Sequence, residues 1–253
     1  MNGFAQHPAA DCGCIGCSTS QAAAASEAAF SRRRFLCTTL GTATMLAGVA
    51  ASSGGPAFAQ STLTPDEALE AMMDGNKRFI AGQLQSLNED LSILKAKTAE
   101  KQEPFAAVLS CADSRVPVEY VFDQSIGQLF VVRVAGNIAT PEITASLEYG
   151  IAVLGAKVLM VLGHSNCGAV KAAMEAKPVP GQIGALYAPL WPAVNAAGNN
   201  LETAIDENAK IQATLLSRTS TVIAQAIQEG KLKVVAGRYD IATGVVSLLG
   251  EAR

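Results

Sequence analysis

The chain has two histidines, His7 and His164, and one tryptophan, Trp191; aromatic residues make up only 5% of it. From residue 60 onward it has just two cysteines, Cys111 and Cys167. No basic cluster occurs there, so nucleic acid has no electrostatic footprint to bind. No second apolar run reaches the roughly 20 residues that a membrane span requires. The two cysteines also lack the short Cys-x-x-Cys spacing that tunes dithiol redox pairs. An even cysteine count in an exported chain would allow a disulfide, yet the chain is long enough to bury a core without a covalent staple. Neither an internal repeat nor a long low-complexity segment interrupts it.

Residues 1–59 read as leader. Ser31-Arg32-Arg33-Arg34-Phe35-Leu36 precedes an apolar, small-residue segment from Cys37 to Ala51, and Ala57-Phe58-Ala59 supplies a small-x-small cleavage pattern. This is the pattern of a twin-arginine export signal, and it predicts a periplasmic protein. The apolar run is too short to anchor the chain, and Gly41, Gly48, Gly54 and Gly55 interrupt or follow it. Cys12, Cys14 and Cys17 are close enough to chelate a metal ion but have no second cysteine cluster beside them, so they are read as leader sequence. Of the 19 basic and 22 acidic residues, only Arg32, Arg33, Arg34, Asp11 and Glu27 precede residue 60, which leaves 16 basic and 20 acidic residues in the mature chain, 60–253.

The mature chain is expected to form one α/β domain. Thr64 to Gly82 reads as a helix, with Thr64 as N-cap, Pro65 in the first turn, Glu67 three residues on and an apolar stripe of Leu69, Met72, Met73, Phe79 and Ile80. A polar-rich helix is expected over about 88–101. Together these form an N-terminal helical arm, 64–101, with little core of its own to cover, of the kind that packs on a neighbouring subunit. Buried strands follow at 105–111, 129–134 and 157–163, with a fourth at 233–239 and a fifth at 244–249. Helices are expected at 141–154, 168–177 and 183–197, and over 201–228 with breaks. Apolar strands separated by helices predict a mostly parallel sheet covered on both faces. The last two strands are too close for a helical crossover, so the fifth is expected antiparallel at an edge.

The remaining soft ligands sit where such a sheet binds its ligands, beyond the carboxyl ends of the strands. Cys111 ends the first strand; His164 and Cys167 follow the third. Two thiolates and an imidazole make a zinc donor set, and three protein ligands leave one tetrahedral position for water, the mark of a catalytic site. A folded-state export route would load zinc on reduced thiolates before the chain meets an oxidising compartment. Asp113 stands close enough to be a fourth ligand or a hydrogen-bond acceptor beside the metal. Arg115 can hold it in a forked pair, oxygens turned from the ion.

Three segments carry a resemblance: Cys111-Ala112-Asp113-Ser114-Arg115-Val116-Pro117, Arg133-Val134-Ala135-Gly136-Asn137, and His164-Ser165-Asn166-Cys167-Gly168-Ala169-Val170. In order and spacing, from Gly75-Asn76-Lys77-Arg78-Phe79 to the Tyr239–Gly244 turn, the chain resembles the β-class carbonic anhydrases. The resemblance implies one Zn²⁺ per subunit on Cys111, His164 and Cys167, and an Asp113–Arg115 dyad that opens the fourth position. It also implies a homodimer or homotetramer. Gln102, Phe130 and Tyr149 would line a carbon dioxide pocket, and the Gly168 amide would face bicarbonate. Phe130 and Tyr149 would serve equally well as core residues, and Gln102 as a loop polar group. A regulated subset of the family holds bicarbonate in a pocket with a tryptophan upstream of the first ligand. Trp191 lies far downstream, so that switch is not expected, and an open site at neutral pH is.

The implied reaction is reversible hydration of carbon dioxide by attack of zinc-bound hydroxide, since zinc lowers the pKa of bound water from about 15.7 toward about 7. Carbonyl sulfide and carbon disulfide are apolar linear molecules open to the same attack. A same-fold hydrolase of either stands as an alternative, as does a non-catalytic zinc-binding protein. Two thiolates cancel the formal charge of zinc, so activity is expected to rise toward alkaline pH. A rate flat between about pH 6 and 9 would contradict this. His164, the only mature histidine, is a ligand and cannot shuttle protons, so turnover should depend on buffer concentration.

Overall fold

The computed structural model describes residues 61–86 and 91–252. The expected leader and its cleavage point lie outside the described residues. Five strands form one sheet in the order β2-β1-β3-β4-β5: β1 (Ala106–Ser110), β2 (Leu129–Arg133), β3 (Val158–His164), β4 (Lys233–Tyr239) and β5 (Val246–Glu251). β1 to β4 are parallel and β5 runs antiparallel to β4, as the strand spacing predicted.

Strand burial follows from composition. β1 and β3, unbroken apolar runs apart from their last residues, are buried at every position. β2 and β5 occupy the edges; β2 is mostly part-exposed and β5 mostly exposed. Because side chains alternate along a strand, each run feeds two cores. Val108, Met160, Leu162 and Val235 pack on one face with α1 (Pro65–Ile80) and α3 (Val118–Val121). Leu109, Leu159, Val161, Val234 and Ala236 pack on the other with α4 (Pro141–Ala152), α7 (Leu201–Thr219) and α8 (Thr221–Gln228). A third cluster lies over the carboxyl ends of the strands, between α5 (Gly168–Glu175) and α6 (Tyr187–Ala197), and it includes Cys111 and Cys167.

The helices begin where local chemistry allows. Thr64 caps α1 in a complete capping box with Glu67: the Thr64 amide donates to the Glu67 carboxylate at 2.8 Å. Ser220, in extended conformation, separates α7 from α8 and caps the latter, accepting from the Ile223 amide at 3.1 Å. α2 (Leu91–Thr98) ends before the expected limit at 101, residues 88–90 lying outside the described residues, and the four-residue α3 is too short to show a period in the sequence. A 3₁₀ turn, Ile183–Leu186, replaces the first turn of the helix expected from 183.

The expectation that the arm has little core of its own fails for α1. Ala68 and Met72 are fully buried against this chain's sheet, whereas Ile80, expected in the stripe, is exposed. Gly75 explains the close docking: a Cβ there would sit 1.7 Å from the Phe122 carbonyl oxygen. The adjacent Asn76 is buried and stitches three segments together. Its amide nitrogen donates to the Val121 and Gly244 carbonyls at 3.0 and 2.9 Å, and its oxygen accepts from the Val246 amide at 2.9 Å. Among the described residues, no helix is long and apolar enough to cross a membrane.

Asp123 anchors the end of α1. Its carboxylate is fully buried and accepts from Arg78 Nε at 2.5 Å and from the Gln85 and Ser86 amides, each at 2.9 Å. Burial alone would raise its pKa; the guanidinium and the amides outweigh that and hold it at about 2. A depressed carboxylate stabilises the fold fully above its unfolded pKa of about 3.9, and that contribution is lost as pH falls through the folded value. Asp123→Asn should therefore cost about 2 kcal/mol at neutral pH. Denaturant titrations of the two proteins should show the gap closing as pH falls from about 4 to about 2.

Candidate metal centre

The chain passes from β1 to β2 on one side and then crosses to β3 on the other. The carboxyl ends of β1 and β3 therefore flank a topological switch point, where an open parallel sheet leaves a crevice. Ser110 registers with Leu162, so Cys111 and His164 leave neighbouring strands almost level. Cys167 follows after a turn in which Asn166 takes a left-handed conformation (φ 54°), which asparagine tolerates. It then caps α5 at its N-terminus, where helix amides favour a thiolate. Gly163 lets α7 approach this end of β3: a Cβ there would lie 3.2 Å from the Ile205 side chain.

One donor atom from each of Cys111, His164 and Cys167 lies within 4.8 Å of the other two, and all three residues are buried. Both cysteines are free, so the disulfide reading is excluded. His164 Nδ1 lies 3.0 Å from the Ser165 carbonyl, which can only accept, so Nδ1 carries the proton. Nε2 is buried without a hydrogen-bond partner. An unpartnered imidazole nitrogen buried beside two thiols fits a soft divalent ion, and zinc best among common ones. Of the two sulfurs, Cys111 is driven well below the usual thiol range, chiefly by a hydrogen bond from Cys167, with the Gly136 amide adding to it against burial. The Gly136 N–H reaches Cys111 Sγ at 3.3 Å. Cys167 is pushed up because it keeps the proton the pair shares.

Asp113 stands outside the donor group. Arg115 holds it in the expected fork: Nε donates to Oδ1 at 2.9 Å and Nη2 to Oδ2 at 2.8 Å, and the Arg115 amide also donates to Oδ1 at 2.9 Å. These guanidinium bonds, working against desolvation, keep the Asp113 carboxyl well below the usual carboxylate range. Its Oδ2 lies 3.8 Å from His164 Nε2, beside the donors but turned toward Arg115.

Gly168 is exposed at the start of α5, directly after Cys167. The other expected pocket residues lie elsewhere in the chain. Gln102 precedes β1, at the amino end of the sheet, and is exposed. Phe130 registers with Ala107, four residues before Cys111, which is about 13 Å back along the strand. Tyr149 pairs with Phe130 at a ring separation of 6.2 Å and is 46% exposed. Neither ring serves as a fully buried core residue. Arg133 was quoted only within a motif, yet it ties the first ligand loop down: its Nε donates to the Cys111 carbonyl at 3.0 Å and its Nη2 to the Asp113 carbonyl at 2.6 Å. An arginine closing an otherwise apolar strand was the available signal.

The sequence model of the carbonic anhydrase family matches residues 106–246. The carbonic anhydrase of Mycolicibacterium smegmatis is 35% identical over 192 residues, covering 73% of this chain and 93% of that protein. The chain belongs to the β-carbonic anhydrase family. Carbonic anhydrase 2 of Mycobacterium tuberculosis is 34% identical over 188 residues, 71% of this chain and 90% of its own. Among solved structures, the β-carbonic anhydrase of Coccomyxa, in complex with acetazolamide, superposes with a TM-score of 0.58 at 25% identity, covering 74% of this chain and 87% of that one. A tetrameric β-carbonic anhydrase of Sordaria macrospora gives 0.56 at 26% identity, covering 63% and 91%. β-Carbonic anhydrases use zinc, and the Cys111–His164–Cys167 group is able to bind one metal ion.

The unequal thiols give a test. Metal-free protein should already carry one thiolate at neutral pH, and zinc uptake there should release fewer protons than two ordinary thiols would. Calorimetric titrations in buffers of different ionisation enthalpy measure that number directly.

Proposed function

We propose that this chain interconverts carbon dioxide and bicarbonate as an exported, zinc-dependent homo-oligomer. The observation that carries the reading is a buried Cys–His–Cys donor set whose neighbouring carboxylate, Asp113, is tied back by Arg115. A structural zinc site would be closed by a fourth protein ligand.

Cys111, His164 and Cys167 would hold zinc, which would supply Lewis acidity to make a water nucleophilic near neutral pH. Asp113 is kept ionised by Arg115, so it can only accept hydrogen bonds. It therefore holds the hydrogen of the attacking water and turns the oxygen's lone pair toward the carbon. Arg115 fixes the carboxylate through both oxygens, which limits rotation during attack. The water oxygen bonds to carbon, one carbon–oxygen double bond opens, and one proton leaves for solvent. His164 is itself a member of the donor group, so buffer must carry the released proton.

Gln102, Phe130 and Tyr149 can line a carbon dioxide pocket only if a second copy brings them to the centre, because their own chain holds them back along the sheet. That supports a dimer as the smallest active unit, and the tetrameric Sordaria relative is compatible with pairs of dimers. The Arg32–Arg34 run, the apolar segment after it and Ala57-Phe58-Ala59 support export with cleavage after Ala59, leaving 60–253 as the enzyme domain.

Stopped-flow hydration by the zinc-loaded protein tests the chemistry. Asp113→Asn should lower kcat by about 100-fold or more while zinc content stays at one per chain. Parallel assays on carbonyl sulfide and carbon disulfide should be slower than carbon dioxide hydration; faster turnover of either would reassign the substrate.

A further inference from the structure

The segment between the second and third ligands makes few bonds to its own backbone. Ser165 is fixed to β4 by its amide, which donates to the Tyr239 carbonyl at 2.9 Å, and by its hydroxyl, which accepts from the Ile241 amide at 3.0 Å. Asn166, left-handed and exposed, is held differently. Its N–H donates to Glu202 Oε1 at 3.1 Å, from the first turn of α7. Its carbonyl meets Arg115 Nη2 at the long distance of 3.5 Å. Asn166, whose left-handed turn leads the chain from the end of β3 to Cys167, is thus gripped by two charged side chains from outside the turn.

Glu202 is itself held. Asn200 caps α7, accepting from the Thr203 amide at 2.9 Å, which fixes where the first turn begins. Arg238, which registers with Gly163 on the neighbouring strand, approaches Glu202 Oε2 at 3.6 Å and Asp206 Oδ2 at 3.4 Å. Glu202 and Asp206 stand one turn apart on the same face of α7, where two carboxylates would otherwise repel. Arg238 between them relieves that repulsion and takes one oxygen of Glu202, leaving the other for the Asn166 amide. All three side chains are partly open to water, so the ion pairs add little global stability. What they add is direction.

We propose that Glu202, steadied by Arg238, is a positioning residue of the metal centre: it clamps the Asn166 turn so that His164 and Cys167 present their donors to one ion. This rests on the reading of that centre as a zinc site. Groups that orient ligands from behind contribute to metal affinity out of proportion to their effect on stability.

The test measures zinc affinity by competition with a chromogenic chelator, and ligand geometry by the visible spectrum of Co²⁺-substituted protein. Glu202→Ala should weaken zinc binding by about 10- to 100-fold and alter the cobalt bands, while the unfolding midpoint of the metal-free protein stays at the wild-type value. Glu202→Gln keeps an oxygen for the Asn166 amide and should recover most of the affinity. Wild-type affinity and spectrum in Glu202→Ala would overturn the proposal, as would a glutamine variant as weak as the alanine one. Absence of tight zinc binding or of thiolate-to-cobalt bands in the wild-type protein would instead sink the zinc reading itself.

Discussion

Two sulfurs and one ring nitrogen can share an ion here only because β1 and β3 are parallel neighbours that end level. Cys111 and His164 are far apart along the chain, and a parallel pair joined through the crossover to β2 leaves its carboxyl ends facing one crevice. Close packing around that crevice depends on residues without side chains. Gly163 admits α7. Gly136, at φ 79°, turns its amide toward Cys111, and a Cβ on it would press on Leu190 at 3.2 Å.

Charge then decides what the crevice does. Two buried thiols side by side cannot both ionise without a cation, so they share a proton until one arrives. A third anion, Asp113, would compete for the same ion. Arg115 takes both of its carboxylate oxygens, and Arg133 ties the loop down through backbone carbonyls. The arginines thus divide the work: one governs a carboxylate, the other a peptide conformation.

Much of this was legible in the residues. The Thr64–Glu67 capping box, the unbroken apolar texture of β1 and β3 and the short connection before β5 each have a local cause, and each formed where expected. The forked Asp113–Arg115 pair was readable because two residues' separation brings the groups together whatever the fold. The placement of α1 does not follow from its apolar stripe. Its burial is governed by Gly75 and Asn76, a missing side chain and a polar one, whose partners at Phe122, Val121, Gly244 and Val246 are remote in sequence. Glu202 and Arg238 were invisible for the same reason: nothing near them in the chain hints that they meet the turn at Asn166.

The sequence by itself determined the donor types, the dyad and the alternation of strands and helices, because those depend on side-chain chemistry and on neighbours a few residues away. Only the tertiary structure decided the strand order, the shared crevice and the separation of Phe130 and Tyr149 from their own chain's metal centre. Those depend on which strands lie side by side, and hydrophobic burial sets that over the whole sheet at once.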